Sequence, residues 1–349
     1  MIGTWYVIVS FMLITYVVLD GRNFGAGMLH WLVAKTPGER RQVIAAIGPL
    51  WSWHEVWLVS FGGTLFAIFP SVLASAFSGY YLALFLILWC FILRGMAIEV
   101  GGHINDRLWQ GFWDFVFVVS SFLLSVLFGA AAGNLGRGVP LDNHGNFAMA
   151  FFTDFGVRGN VGLLDWYTLS VALVAVVMLA AHGATYLTLK TEGPVHDRSA
   201  SYAVKLWTAL CPLGVIVSIE SWYVRPDLFG RALQNPFSWL GVVVIAASVI
   251  ALVSGIRKGL EFRAFLGSTF LIAGILATGS AALFPVILYS TLAPENSMTA
   301  YSTASSPGTL LIALIWWLVA FIMTISYFVF IARRYAGKVS VSRDNQGYD

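Results

Sequence analysis

The chain has 349 residues, of which 58% are drawn from Ala, Val, Ile, Leu, Met, Phe, Trp, Tyr and Cys and only 11% are charged. A mean hydropathy of +0.80 excludes an ordinary soluble domain, where about a quarter of residues carry charge, and places the chain in a lipid bilayer. A net charge of +3 without a basic block excludes nucleic acid as a partner, and Cys90 and Cys211, each in an apolar run, make neither a disulfide framework nor a multi-cysteine metal site.

Nine segments are long and apolar enough to be read as membrane helices. The first covers residues 4–30. Its start resembles a signal peptide in hydropathy but lacks a basic leader and an A-x-A cleavage site, so it is read as a retained helix. The second, 49–77, opens with PLWSWHEVWLVSFGGTLFAIFP, in which Ser52, His54 and Glu55 interrupt the first two turns. Gly62 and Gly63 follow, small enough to admit a neighbouring backbone. The others are expected at 80–100, 112–135, 163–189, 202–224, 237–254, 262–292 and 309–332. The sixth contains Pro212 and Glu220, and the pairs Phe69–Pro70 and Phe284–Pro285 predict kinks.

Nine crossings put the termini on opposite sides. With the N-terminus outside, fifteen Lys and Arg residues fall at inner positions, among them Arg40, Arg94, Arg107, Lys190, Lys338 and Arg343. Four fall outside, namely Arg137, Arg158, Arg225 and Arg231, and Arg22 lies within the first helix. The positive-inside rule therefore sets the N-terminus outside and the C-terminus in the cytoplasm. The longest outer connection, Gly136 to Gly162, has the size of an ordered loop and leaves no room for a soluble catalytic domain.

Ionisable residues inside membrane segments are the natural functional candidates. Asp20, Asn23 and Gly27 share one face of the first helix, while Arg22 points elsewhere, toward headgroups. Asp20 reads either as part of a polar helix end or as a buried acid in a proton route or subunit contact. His54 and Glu55 point about 100° apart. They admit three readings: satisfied polar groups between helices, a protonatable relay, or a haem or quinone ligand at His54. Arg94 and Glu99 are too far apart around their helix to pair, so each needs a partner elsewhere. Asp114 lies in a Trp-rich interfacial stretch. His182 sits among small residues that suit tight packing, and His103, His144 and His196 are expected in loops, solvated.

The ordered blocks LDGRNFGAGML, ERR and GPLWSWHEVWLVSFGGTLFAIFP resemble subunit II of the cytochrome bd quinol oxidases. So do SGYY, LRGMAIE, GNLGRGVP, HGATYLTLKTEG, ALFPVIL, ASSPGTL and YFVFIARRYAGKV, which continue to about residue 338. The frame in the second segment is the most specific part: Trp51, Trp57, Leu58, Gly62, Gly63, Phe66 and Phe69. The resemblance implies an all-α polytopic membrane protein of about nine transmembrane helices, arranged as two four-helix bundles plus one peripheral helix. On this chain the bundles are 1–135 and 163–292, joined by the outer loop 136–162, with the ninth helix and a cytoplasmic tail in 293–349. It also implies a complex in a bacterial or archaeal cytoplasmic membrane that oxidises quinol and reduces dioxygen to water. Haem b and haem d belong to the partner, subunit I; subunit II usually has none, binds a structural quinone in some members, and contributes a proton route. Small accessory subunits are compatible with the resemblance.

The chain departs from the family at two acids. The usual DGFD has Asn23 at its second acid, and Ser52 replaces the aspartate of W-D-G-N assigned to the proton route in some members. Serine hydrogen-bonds but does not titrate near neutrality. The remaining proton-route candidates are Glu55, His54, Asp20, Glu99 and Arg94, with no metal ligand assigned. A secondary transporter and a divergent subunit carrying its own haem at His54 are the alternative readings.

Overall fold

A computed structural model of the chain describes residues 1–157 and 160–340; Arg158 and Arg343, counted above as loop charges, lie outside the described residues. Helices in chain order are α1 (Ile2–Val33), α2 (Pro37–Ile47), α3 (Trp51–Ile68), α4 (Pro70–Gly79), α5 (Tyr81–Val100), α6 (Arg107–Arg137) and α7 (Trp166–Lys190). They continue with α8 (Pro194–Val224), α9 (Pro226–Gln234), α10 (Pro236–Arg257), α11 (Glu261–Leu283), α12 (Ala300–Thr303) and α13 (Pro307–Arg334). Eight of them, α1, α5, α6, α7, α8, α10, α11 and α13, are long and apolar enough to cross a membrane. The expected second crossing is not one helix but α3 and α4 end to end.

Local chemistry sets the boundaries. Phe69 leaves the helical region at φ −129°, ψ 60°, and Pro70 starts α4 at a position where its missing N–H is not needed. The eighth segment, expected to reach residue 292, stops at Leu283. Phe284 precedes a proline and is extended (φ −53°, ψ 136°), and Val286–Leu288 forms β1, antiparallel to β2 (Met298–Thr299). Pro212 lies inside an unbroken α8 that begins eight residues before the expected segment. Thr36 and Asp165 cap α2 and α7 in reciprocal capping boxes, and Asp106 caps α6.

Helix α1 packs against α3, α6, α7 and α11, and α10 pairs with α11. At least half of the apolar stretch of α6 and of α7 is buried within the chain, against 6% for α13. Helices α1 and α7 approach closely: a methyl group on Gly25 would collide with the Leu179 carbonyl and the Gly183 backbone. This small-residue contact is how helices associate where lipid offers no hydrophobic drive. In the described part of the 136–162 connection, Val139, Leu141 and Phe147 cluster with Leu288 of β1. The Val139 N–H donates to Tyr289 O at 2.9 Å.

Gly25→Ala should cost about 1–3 kcal/mol through overpacking. Gly214, with nothing within 4 Å of an added methyl, should tolerate alanine or gain slightly. Melting temperatures of the detergent-solubilised proteins check this, and equal values for the two variants would contradict the packing account.

Candidate functional site

Three helices deliver the intramembrane charges to one place. Asp20 from α1 and Arg94 from α5 are both fully buried. Arg94 Nη1 donates to Asp20 Oδ1 at 3.0 Å and Nη2 to Oδ2 at 2.9 Å, a two-pronged match of guanidinium and carboxylate. Nη2 also donates to Glu55 Oε1 at 2.6 Å. The Tyr16 hydroxyl, one turn before Asp20, reaches Oδ2 at 3.3 Å, and the guanidinium lies 4.6 Å from the Phe24 ring centroid. Glu55 is the least enclosed member, its side chain 26% exposed. A guanidinium in this position is tolerable because two carboxylates meet it, Asp20 through both of its oxygens.

His54 extends the network. Its Nδ1 lies 2.7 Å from Asn23 Nδ2 and its Nε2 2.8 Å from Arg22 Nη2, while Asn23 Nδ2 is 2.9 Å from Asp20 Oδ1. A neutral imidazole has one acceptor nitrogen and arginine has none. With Nε2 accepting from Arg22, Nδ1 carries the hydrogen and needs the amide oxygen of Asn23, so the amide must be turned. That oxygen then faces Asp20 Oδ1, and a hydrogen must lie between them. In the other amide orientation the ionised Asp20 is satisfied, and His54 meets a donor at both nitrogens. The His54 tautomer, the Asn23 amide and a proton on Asp20 are therefore one coupled unit.

Other expectations fall differently. Glu99 stands outside this network and accepts from Trp51 Nε1 at 2.9 Å. Arg94, counted as an inner-loop charge, is buried within α5, because Asp20 and Glu55 draw it inward. Arg22 does point away from Asp20, but it bonds His54 and stacks 4.5 Å from the Tyr186 ring rather than standing alone among headgroups. Gly62 and Gly63 meet nothing within 4 Å, so the close backbone approach expected there occurs at Gly25 instead. His196 belongs to α8 and bonds Glu261 at 2.8 Å. His182 is buried against Ser268 (2.8 Å) and the Val18 carbonyl (3.1 Å).

A second cluster ties the ends of α1 and α6: His30 Nε2 meets Asp114 Oδ1 at 2.8 Å, and Arg40 donates to Oδ2 at 2.9 Å. Nearby, partial burial would raise the Glu39 pKa. The N–H groups of Lys35 and Thr36 and the Arg198 guanidinium outweigh it and hold the carboxyl below its ordinary value. Among the described residues no group of three or more His, Cys, Asp or Glu side chains could hold a metal ion. Both nitrogens of His54 are engaged, so axial ligation of a haem would require it to give up Arg22 or Asn23.

The family model described as cytochrome bd terminal oxidase subunit II matches residues 1–334. Cytochrome bd-I ubiquinol oxidase subunit 2 of Escherichia coli K12 is 30% identical, over 88% of this chain and 86% of its own length. Cytochrome bd ubiquinol oxidase subunit 2 of Bacillus subtilis is 27% identical, over 88% and 87%. This chain belongs to the cytochrome bd terminal oxidase subunit II family. The solved bd oxidase from Geobacillus thermodenitrificans shares the fold, with a TM-score of 0.73 at 16% identity over 95% of this chain and 98% of that one.

Within this family the two departures have distinct positions. Ser52 is exposed on α3, whereas Asn23 is the link between His54 and Asp20. Tyr16 and His30 drew no attention in the sequence. Tyr16 was recoverable from its i, i+4 spacing to Asp20, but nothing local connects His30 to Asp114 on another helix.

Arg94→Met strands Asp20 in the interior and is expected to cost about 3–5 kcal/mol. Adding Asp20→Asn and Glu55→Gln should recover part of it. Glu55→Gln alone should cost less, because Arg94 keeps both bonds to Asp20. Thermal unfolding of the four proteins tests the order, and an Arg94→Met protein as stable as wild type would refute it.

Proposed function

We propose that this chain is the non-haem subunit of a membrane quinol oxidase, inactive alone, that supports a haem-bearing partner and delivers protons to it. Two quinols yield four electrons and four protons, and reduction of one dioxygen to two waters consumes four of each. The b- and d-type haems assigned to the partner supply the electron transfer and oxygen chemistry. What this chain can add is a path for protons through the apolar interior.

The observation that carries the reading is the unbroken line of contacts, none longer than 3.0 Å, from His54 through Asn23 and Asp20 to Arg94 and Glu55. Glu55, partly exposed, is where the line reaches the protein surface. It lies on a face of α3 with Val59 and Phe66, both exposed, and with the open Gly63. We take this face as the side turned to the partner. Glu55 takes up and releases the proton at this surface, while Arg94, which cannot give up its own, holds Glu55 beside Asp20. Residues 1–135 and 163–292 are taken as two helical bundles joined by 136–162, with 293–349 adding the peripheral helix and tail.

Glu55→Gln is expected to slow quinol-driven oxygen consumption about tenfold or more, with the partner still copurifying and its haem spectrum intact. His54→Ala should affect stability more than turnover. An unchanged rate in assembled Glu55→Gln enzyme would sink the relay. Loss of a haem band in assembled His54→Ala would instead favour a haem bound by this chain.

Orientation is a separate expectation. A reporter fused after Asp349 should be cytoplasmic, and one inserted in the 136–162 connection should lie on the opposite side. Arg94 leaves the inner count, yet fourteen basic residues still oppose four. Both reporters on one side would mean a miscounted crossing.

A further inference from the structure

A cavity of about 460 Å³ opens between α1, α3, α7, α11 and α13, at the end of the bundle where α7 and α13 finish. Its walls are aromatic, with Trp53, Tyr186, Phe265 and Tyr327 among them. Its charged lining residues are Arg22, Lys190 and Lys338, and no carboxylate lines it. Lys338 is matched by Glu261 at 2.7 Å, and Lys190 donates to the Tyr335 and Gly337 carbonyls. Arg22 has no such partner. Among the described residues no carboxylate comes within 4.0 Å of it, its Nε is buried without an acceptor, and its one hydrogen bond goes to His54.

An arginine in a membrane segment keeps its charge and requires an anion or several strong acceptors. Tyr186, on which Arg22 stacks, lies about one helical turn before Lys190 at the end of α7, so the cavity opens near that end, with Tyr327 and Phe328 of α13 in its wall. We propose that the cavity binds one anionic phospholipid, its phosphate paired with Arg22 and assisted by Lys190, its glycerol and upper acyl chains against Trp53 and Tyr327. A phosphate there would occupy the outward donors of Arg22 and leave Nη2 aimed at His54 Nε2, fixing which imidazole nitrogen accepts.

The test uses the purified whole complex, washed extensively in detergent. Native mass spectrometry with lipid extraction should find one retained phosphatidylglycerol-type lipid. Arg22→Gln should lower retention about tenfold, the loss expected for one charge-assisted contact. Ala332→Trp, which fills the cavity mouth on α13 and leaves the Arg22–His54 contact in place, should do the same, and it decides the matter if Arg22→Gln fails to assemble. Adding phosphatidylglycerol to delipidated complex should raise its melting temperature, while phosphatidylcholine or inorganic phosphate should not. Three results would overturn the proposal: retention unchanged in the assembled variants, equal stabilisation by phosphatidylcholine, or a quinone in place of the phospholipid that the variants release.

Discussion

A guanidinium that never sees water governs this molecule. Arg94 cannot lose its proton, so every helix near it must be placed to supply negative charge or a ring face. Asp20 on α1, Glu55 on α3, and the rings of Phe24 and Phe91 do so. The ionic contact fixes the rotation of three helices about their own axes, which apolar packing in lipid specifies poorly. Close contact at Gly25 and Gly183 then sets the distance between α1 and α7, and with it the depth at which Asp20 is held.

The same contact explains how α3, which is not among the eight helices apolar enough to cross a membrane, still belongs to the bundle. By composition alone it falls short of a membrane crossing, since His54 and Glu55 displace apolar residues in its first turns. Those residues are not exposed to lipid as isolated charges: His54 is buried between Arg22 and Asn23, and Glu55 is held by Arg94. The hydropathy deficit is therefore local to the polar site.

Segment positions were legible in the sequence because apolar length and proline are local signals. Phe69–Pro70 marked a true break, and Phe284–Pro285 marked an end that hydropathy alone overran, since β1 is as apolar as the helix before it. The membership of the site was legible in part. Asp20, His54, Glu55 and Arg94 stood out as costly residues in lipid, and the separation of Arg94 from Glu99 around α5 implied partners on other helices. Their convergence was not legible, because it depends on how α1, α3 and α5 cross. Arg22 shows the limit of helical-wheel reasoning: it does point away from Asp20, yet a long side chain and a neighbouring helix bring it to His54.

Asn23 bears most on how this member of the family differs. An aspartate there would put a second carboxylate beside Asp20 and in contact with His54. With an amide in that place, His54 has a neutral neighbour on one side and a guanidinium on the other. The positive charge near the cavity is left to Arg22. An amide at this position keeps a second acid away from Asp20 and leaves Arg22, at the cavity, with no carboxylate partner among the described residues.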